Sequence, residues 1–192
     1  YTYTNPLQVT IPAGSTSSEA ITVPTVDDAI YEVTETFTIT GTVTSGTTAN
    51  PSTDATGTIT DNDGNGPRIS IEDVSVEEGA DAVFYVTTDK VSFEDIVVDI
   101  TFADGTATNP ADYGDGTPLQ VTIAAGTQTS GAITFPTEDD TIYEEDEFFT
   151  VTGSVSSGTT ANPSADATGT ITDNDGDAPR ISIADVSVEE GD

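Results

Sequence analysis

The sequence predicts an all-β fold built from tandem β-sandwich domains, and three observations support this. Apolar residues alternate with polar ones in short runs, which is the period of a half-buried strand. The composition, with 37 Thr, 7 Phe and 6 Tyr in 192 residues, is typical of strands. The chain also repeats itself with an offset of 112 residues, and 57 of the 80 overlapping positions are identical. A repeat of that length is large enough to contain its own hydrophobic core.

Seven short strands are expected in the complete repeat, and no stretch has helical periodicity. Turn-forming residues such as Asn109-Pro110 and Ala125-Gly126-Thr127 separate them. The resulting fold class is a seven-stranded, immunoglobulin-like β-sandwich without the Cys–Trp–Cys pattern of antibody domains. In chain order, the predicted strands are 69–76, 83–86, 96–102, 119–123, 132–135, 148–155 and 167–171.

The repeat defines the expected domains. Residues 1–66 correspond to the C-terminal two-thirds of one repeat, residues 67–178 to a complete repeat, and residues 179–192 to the first strand of the next. Gly176–Pro179, matched by Gly64–Pro67, is the expected linker between domains and is very short.

Charge excludes several functional classes. The chain has 35 acidic and 3 basic residues, a formal net charge of −32, and it contains no His, Cys, Met or Trp. Nucleic acids and anionic membrane surfaces need Lys and Arg, so neither is an expected partner. A Ser-His-Asp triad, a thiol nucleophile and the usual zinc, haem or iron–sulfur ligands are excluded. No apolar run approaches the roughly 20 residues of a membrane span.

We do not expect an enzyme. Paired carboxylates can hydrolyse glycosides, but here the acidic residues form like-charged clusters without a visible aromatic cleft.

The acidic residues of the complete repeat cluster at four turns. The groups are Glu77–Glu78, Asp112, residues 138–147 and residues 173–175. In a sandwich these turns can lie at one end, where the carboxylates would repel each other without cations. Dense hard oxygen ligands suit Ca²⁺, which takes 6–8 oxygens with tolerant geometry. The alternative is that these residues simply keep the turns solvated.

These stretches resemble the Calx-β domain, a family found in sodium–calcium exchangers, integrin β4 and bacterial surface proteins. The matching motifs are residues 69–79, 103–108 with 111–113, 138–147 and 169–175, in the same order along the repeat. The resemblance implies a β-sandwich with a site for several Ca²⁺ ions in its distal loops, next to the linker.

The resemblance also implies the ligands of that site. Asn174 and Thr141 stand where the exchanger pattern has Asp, and each change removes a carboxylate. The residues carried over are Glu77, Asp112, Asp139, Asp140, Glu144, Glu147, Asp173 and Asp175, with the backbone carbonyl of Ile142. The first, partial repeat has Asp27, Asp28, Glu32, Glu35, Asp61 and Asp63 at matching positions, but lacks counterparts of Glu77 and Asp112.

Arg68 and Arg180 are two of the three cations and occupy the same position of the repeat, just past the linker. Each is either a solvated Arg at a strand edge or a partner for carboxylates at the end of the preceding domain.

The expected function is a structural calcium-binding repeat of a long extracellular bacterial adhesin or surface filament, in which Ca²⁺ at domain junctions stiffens the array. Its partners would be neighbouring repeats and other copies in a filament. One alternative is a calcium-sensing regulatory module, and another is a ligand-binding adhesin domain. Millimolar external calcium would keep weak sites filled, so the expected location is extracellular, secreted or at the cell surface.

Overall fold

The computed structural model describes residues 7–191 and divides the chain into two compact units, Tyr1–Gly64 (unit 1) and Asn65–Asp192 (unit 2). The described residues form strands, turns and irregular segments. A search of them for a helix able to cross a bilayer found none. The predicted all-β class is therefore confirmed.

Unit 1 contains one hairpin among its described residues. β1 (Glu35–Thr42) pairs antiparallel with β2 (Ser52–Ile59). Phe37 and Ile39 on β1 and Ile59 on β2 point to the same face of the hairpin, because side chains alternate along a strand. All three are only partly buried.

Unit 2 contains nine strands in its described residues. They are β3 (Ile69–Ile71), β4 (Val74–Glu77), β5 (Ala82–Phe84), β6 (Val86–Thr88), β7 (Ile96–Asp104), β8 (Gln120–Ile123), β9 (Ile133–Phe135), β10 (Glu147–Ser157) and β11 (Ser164–Thr172). One five-stranded sheet has the order β4-β11-β10-β7-β8, and β3 pairs with β6 and β5 with β9.

The strand count exceeds seven because two predicted strands are each divided. The chain bends at Glu72-Asp73, so that β3 pairs with β6 while β4 joins β11 in the large sheet. Asp73 stabilises the bend by accepting a hydrogen bond from the Thr168 N–H at 2.7 Å. The second predicted strand is interrupted at Tyr85 between β5 and β6.

The core of unit 2 lies between the five-stranded sheet and the β3–β6 and β5–β9 pairs. Phe149 on β10 packs edge-on against Phe84 on β5, with ring centroids 6.1 Å apart, and lies 5.3 Å from Phe135 on β9. All three rings are fully buried. Burial of such rings is the main stabilising term available to this Cys-free unit.

Candidate metal centre

Four strand ends meet at one end of unit 2. β4 and β11 are parallel, with Glu77 opposite Thr172, so both leave the sheet at this end. β10 is antiparallel to β11 and begins there at Glu147, while β7, antiparallel to β10, ends beside it near Asp104. The loops attached to these ends are the acidic turns of the sequence.

The first carboxylate set consists of Glu78, Asp173 and Asp175, each of which offers an oxygen within 4.8 Å of the other two. Glu78 is buried, with 8% of its surface exposed. The Asp175 Oδ2 atom is also buried and accepts no hydrogen bond. A buried carboxylate oxygen without a donor is unfavourable unless a cation or a proton compensates it.

The second carboxylate set consists of Asp112, Glu144 and Glu147, again with oxygens within 4.8 Å of one another. Thr108 fixes Asp112 by donating its backbone N–H and its hydroxyl to Oδ2, at 2.7 and 3.0 Å. The Glu144 N–H donates to Asp173 Oδ1 at 3.0 Å. That bond joins the loop of the second set to a carboxylate of the first.

Tyr113 anchors the loop that carries Asp112. Its ring is fully buried and stacked on Phe149, with centroids 4.2 Å apart, and its hydroxyl donates to Asp104 Oδ1 at 2.7 Å. Burial, helped by the Asp104 carboxylate, raises the pKa of Tyr113, so the hydroxyl stays protonated as a donor. The position of Asp112 is thus tied to the hydrophobic core.

Asn174 links the first carboxylate set to Asp139. Its side-chain amide donates to Asp139 Oδ1 at 3.3 Å and to the Glu78 carbonyl at 3.2 Å. Its backbone N–H donates to Glu78 Oε1 at 3.3 Å. The turn after Glu78 passes so close to Asp139 that a Cβ on Gly79, which has φ +79°, would lie 2.9 Å from the Asp139 Cβ.

Glu78 was not among the predicted ligands, whereas its neighbour Glu77 was. The structure leaves the Glu77 side chain exposed and turns Glu78 inward. Successive residues of a strand face opposite sides, so Val74, Val76 and Glu78 share the core side. The alternation in the sequence was therefore the signal that could have identified Glu78.

The remaining predicted positions, Asp140 and Ile142, lie in the same loop. Asp140 Oδ1 accepts the Ile142 N–H at 2.7 Å, and the Ile142 side chain is exposed. In unit 1, Asp28 accepts the Ile30 N–H in the same way at 2.8 Å. This turn is therefore a local structure common to both units.

Unit 1 reproduces further contacts of the acidic loop. The Glu32 N–H donates to Asp61 Oδ1 at 3.2 Å, and Asn62 Nδ2 donates to Asp27 Oδ1 at 3.1 Å. Among the residues that the structure describes, however, sets of three closely spaced carboxylates occur only in unit 2. The pocket of unit 1 is lined by all six predicted acidic residues: Asp27, Asp28, Glu32, Glu35, Asp61 and Asp63.

The electrostatics of both units favour a cation. Burial, together with the charges of Asp112 and Glu144, raises the pKa of Glu147 to about 6. The pKa values of Glu144 and Glu32 are also raised, mainly by burial and to a smaller extent by neighbouring carboxylates. Clustered carboxylates whose charge is disfavoured in this way fit Ca²⁺, which prefers several oxygen ligands. In unit 2 the buried Asp175 Oδ2, which accepts no hydrogen bond, adds to this preference.

Comparison with known proteins agrees with this chemistry. The family model of the Calx-beta domain matches residues 3–63 and 66–175. The chain belongs to the Calx-beta family. Calx-beta domains bind calcium, and their fold is an immunoglobulin-like β-sandwich, so both of these predictions are confirmed.

Several solved structures are similar to this Calx-beta chain. The CBD12 structure from CALX1.2 has 24% identity and a TM-score of 0.47, and the calcium binding domain CBD12 of CALX1.1 has 21% identity and a TM-score of 0.47. Each match covers 56% of this chain but only 46% and 45% of those chains. The apo-form Calx CBD1 domain has 20% identity and a TM-score of 0.45, over 56% of this chain and 99% of that one. A search of curated proteins found no match.

Other predictions are not decided by these findings. The domain ranges, the ligand roles of the named residues and the number of ions stay predictions. Arg68 and Arg180 are both exposed, and the Arg68 backbone N–H donates to Asp89 Oδ1 at 2.7 Å.

Proposed function

We propose that this chain is a structural calcium-binding segment of a long extracellular adhesin or surface filament, in which Ca²⁺ stiffens the junctions between repeats. The observation that supports it is the buried, unpartnered Asp175 Oδ2 within the first carboxylate set, directly before residues 176–179. When bound, Ca²⁺ would supply the positive charge that these carboxylates lack. The loops would then become rigid next to residues 176–179.

Each complete repeat would hold more than one ion. The first and second carboxylate sets are distinct groups of three, tied together through the Glu144–Asp173 hydrogen bond. Glu78, Asp173 and Asp175 would hold one ion, and Asp112, Glu144 and Glu147 another. Asp139 is linked to the first carboxylate set by the hydrogen bond that it accepts from the Asn174 side chain.

The repeat itself favours a structural role over catalysis and over calcium sensing. Near-identical copies, with 57 of 80 positions the same, provide length rather than distinct specificities. Extracellular calcium modules bind with dissociation constants of about 10⁻⁴–10⁻³ M, whereas sensors bind at about 10⁻⁷–10⁻⁵ M. The high negative charge would keep a surface protein soluble at the proposed extracellular location.

Calorimetric titration of the 192-residue chain with CaCl₂ separates these roles. We expect heats that fit dissociation constants near the extracellular range, and fewer bound ions in Glu78→Gln, because this change removes a ligand of the first carboxylate set alone. The charge-matched control is Glu72→Gln, because Glu72 is exposed at the β3–β4 bend and outside both carboxylate sets. Sub-micromolar binding would instead support a calcium sensor, and absence of binding would exclude both.

A separate experiment tests whether calcium stiffens the junctions between repeats. Small-angle scattering of three copies of residues 67–178 joined head to tail should show a larger maximum dimension in about 2 mM Ca²⁺, an extracellular concentration, than in EGTA. An identical shape in both conditions would contradict the stiffening role while leaving calcium binding intact.

A further inference from the structure

The two edges of the five-stranded sheet in unit 2 differ in charge. The sheet order places β4 at one edge and β8 at the other. Residues 72–78, which include β4, contain four carboxylates. Residues 116–137, which include β8, contain no charged residue, although 20% of the chain is charged. Charges on an edge strand protect it from pairing with another chain, so only the β4 edge is protected in this way.

The backbone of β8 has one open side. Within the described residues of unit 2, β7 is the only strand that pairs with β8, and the Ile100 N–H donates to the Leu119 carbonyl at 2.8 Å. In an antiparallel pair, successive residues alternate between bonding the neighbouring strand and facing away from it. Leu119 and Val121 therefore bond β7. Gln120 and Thr122 point their N–H and C=O groups to the open side, which is a template for an added strand.

An exposed leucine lies on the core side of the same edge. Leu119 is 50% exposed, whereas Val121, which faces the same side of β8, is 5% exposed. The core of unit 2 thus ends before it covers Leu119. A strand added beside β8 would cover this apolar surface as well as the unpaired backbone groups.

Two carboxylates adjoin β8, and both are hydrogen-bonded. The Gln120 side-chain amide donates to Asp99 Oδ1 at 2.6 Å, and the Ala125 N–H donates to Asp95 Oδ1 at 2.8 Å. Asp99 belongs to β7 and Asp95 directly precedes it, so both lie on the β7 side of β8. A second, highly negative chain therefore meets less repulsion at the open side of β8 than at the β4 edge.

We propose that β8 pairs antiparallel with β8 of a second copy of this chain, about a two-fold axis at Val121. In that register Gln120 of each copy exchanges both backbone hydrogen bonds with Thr122 of the other. Leu119 of each copy faces Ile123 of the other on the core side, with Cβ atoms about 5 Å apart. The two five-stranded sheets then form one continuous sheet.

Charge favours a second copy as the occupant of this edge. A net charge of −32 makes two chains repel each other, and the repulsion is smallest where neither surface is charged. A basic partner would be attracted to the acidic turns instead. A two-fold contact uses the same surface on both copies and closes at the dimer. This association goes beyond calcium binding and does not depend on it, because neither carboxylate set includes a residue of β8.

Cysteine pairing tests the register, because the chain has no Cys of its own. Residues in a hydrogen-bonded pair have Cα atoms about 5.5 Å apart, which a disulfide can span. Chains carrying Gln120→Cys, mixed under mild oxidation with chains carrying Thr122→Cys, should give a disulfide-linked heterodimer, identified by its mass. Ser75→Cys replaces Thr122→Cys as the control and should give none, because Ser75 is exposed on the β4 edge. Equal crosslinking of both mixtures would overturn the register.

Sedimentation of the 192-residue chain gives the independent measurement. The wild type should pass from a 19.7 kDa monomer to a dimer as its concentration rises, in EGTA as well as in calcium. Dimerisation should be stronger in 1 M than in 0.1 M NaCl, because the Debye length falls from about 10 Å to about 3 Å and repulsion is screened. A monomer at every concentration in both salts would overturn the pairing.

Proline variants locate the interface. Thr122→Pro should abolish dimerisation and keep the fold, because the N–H that it removes faces the open side of β8. Ser75→Pro is the matched control at the other edge. The Glu78 N–H donates to the Thr172 carbonyl, so alternation turns the Ser75 N–H away from β11, and this variant should dimerise like the wild type. A dimer that Thr122→Pro leaves intact would overturn the assignment to β8.

A charge variant keeps the test decisive if Thr122→Pro fails to fold. Thr122→Glu leaves the backbone unchanged and adds a carboxylate to the uncharged edge of both copies, so it should weaken dimerisation at least tenfold in 0.1 M NaCl, with partial recovery in 1 M NaCl. Thr122→Gln is the neutral control and should dimerise like the wild type. Equal dimerisation of the Glu and Gln variants in 0.1 M NaCl would overturn the proposal.

Discussion

The hairpins of unit 1 and unit 2 have the same pairing register but very different burial. Glu35 pairs with Ile59 as Glu147 pairs with Ile171, and the match continues through all eight pairs of β1–β2. Yet Phe149 is fully buried, whereas its counterpart Phe37 is only half-buried. The hairpin is thus set by local sequence, while burial depends on strands distant along the chain.

The same contrast holds for two strands that the structure describes in unit 2 but not in unit 1. Ile123 on β8 and Ile133 on β9 are 1% and 0% exposed, whereas the corresponding Ile11 and Ile21 are 59% and 45% exposed and lie outside strands. The partners of β8 and β9 in unit 2 are β7 and β5. These short strands therefore require non-local pairing, which the longer hairpin does not.

The largest expected difference between the units follows from core burial. Phe149→Ala should lower the free energy of unfolding of unit 2 by about 3–5 kcal/mol, the usual cost of deleting a buried Phe. The matched change Phe37→Ala should lower that of unit 1 by clearly less, since its ring loses less burial. Urea denaturation with hydrogen exchange at Val151 and Ile39 would measure both. Equal losses would show that Phe37 is as well packed as Phe149.

Calcium should give the next largest difference. Free Ca²⁺ at 100 times the dissociation constant adds about 2.7 kcal/mol to a folded state that alone binds the ion. We expect this gain for unit 2 in thermal unfolding, and a smaller gain in Glu78→Gln, which changes the first carboxylate set alone. The same variant should raise stability in EGTA, because it removes a buried charge.

Glu32→Gln in unit 1 is the comparison for that experiment. Unit 1 has no closely spaced set of three carboxylates among its described residues, so its calcium response should be smaller. A calcium gain that Glu78→Gln leaves undiminished would show that the first carboxylate set does not hold an ion.

The local part of the structure was predictable from sequence. Alternation located the strands of unit 2, and the turns at residues 138–147 and 173–175 lie together as expected. The division of residues 69–76 into β3 and β4 was not predictable, because it depends on which distant strand each half pairs with. Glu78 was not among the predicted ligands for a different reason: family motifs, rather than side-chain alternation, selected Glu77, whose ligand role stays a prediction.

The roles of Asn174 and Tyr113 could not be read from the sequence either. An Asn in place of an Asp was interpreted as a lost carboxylate, whereas the structure shows its amide donating to Asp139 and to the Glu78 carbonyl. Tyr113 anchors Asp112 through a hydroxyl contact with Asp104, nine residues earlier, and through stacking on Phe149 of β10. Contacts of this kind depend on tertiary packing.

Asn174→Asp should give a smaller difference in stability between the two units. In EGTA the change should lower the stability of unit 2 by about 1 kcal/mol, the net value of a typical hydrogen bond, because two donated bonds are replaced by repulsion with Asp139. Calcium should restore that loss, since the new carboxylate is a ligand. Asn174→Ala should show the loss without the recovery, and Asn62→Asp, which breaks the matching bond to Asp27, should act on unit 1 alone.

The smallest effect should appear in the pH dependence of the calcium-free chain. Burial and the neighbouring Asp112 and Glu144 raise the pKa of Glu147 from 4.5 to about 6, so the folded state binds this proton more tightly than the unfolded state. The resulting stability is fully present below pH 4.5 and is lost as the pH rises through about 6. Unit 2 in EGTA should therefore melt at a higher temperature near pH 4.5 than at neutral pH.

Two controls decide whether this behaviour comes from the metal centre. Glu147→Gln should flatten the profile between pH 4.5 and about 6, because it removes the group whose pKa is shifted. Saturating calcium should reverse the slope, since protons then compete with the ion for the same carboxylates. A profile that is unchanged by calcium would mean that the ion does not bind at Glu147, and the second carboxylate set would then be excluded as a calcium site.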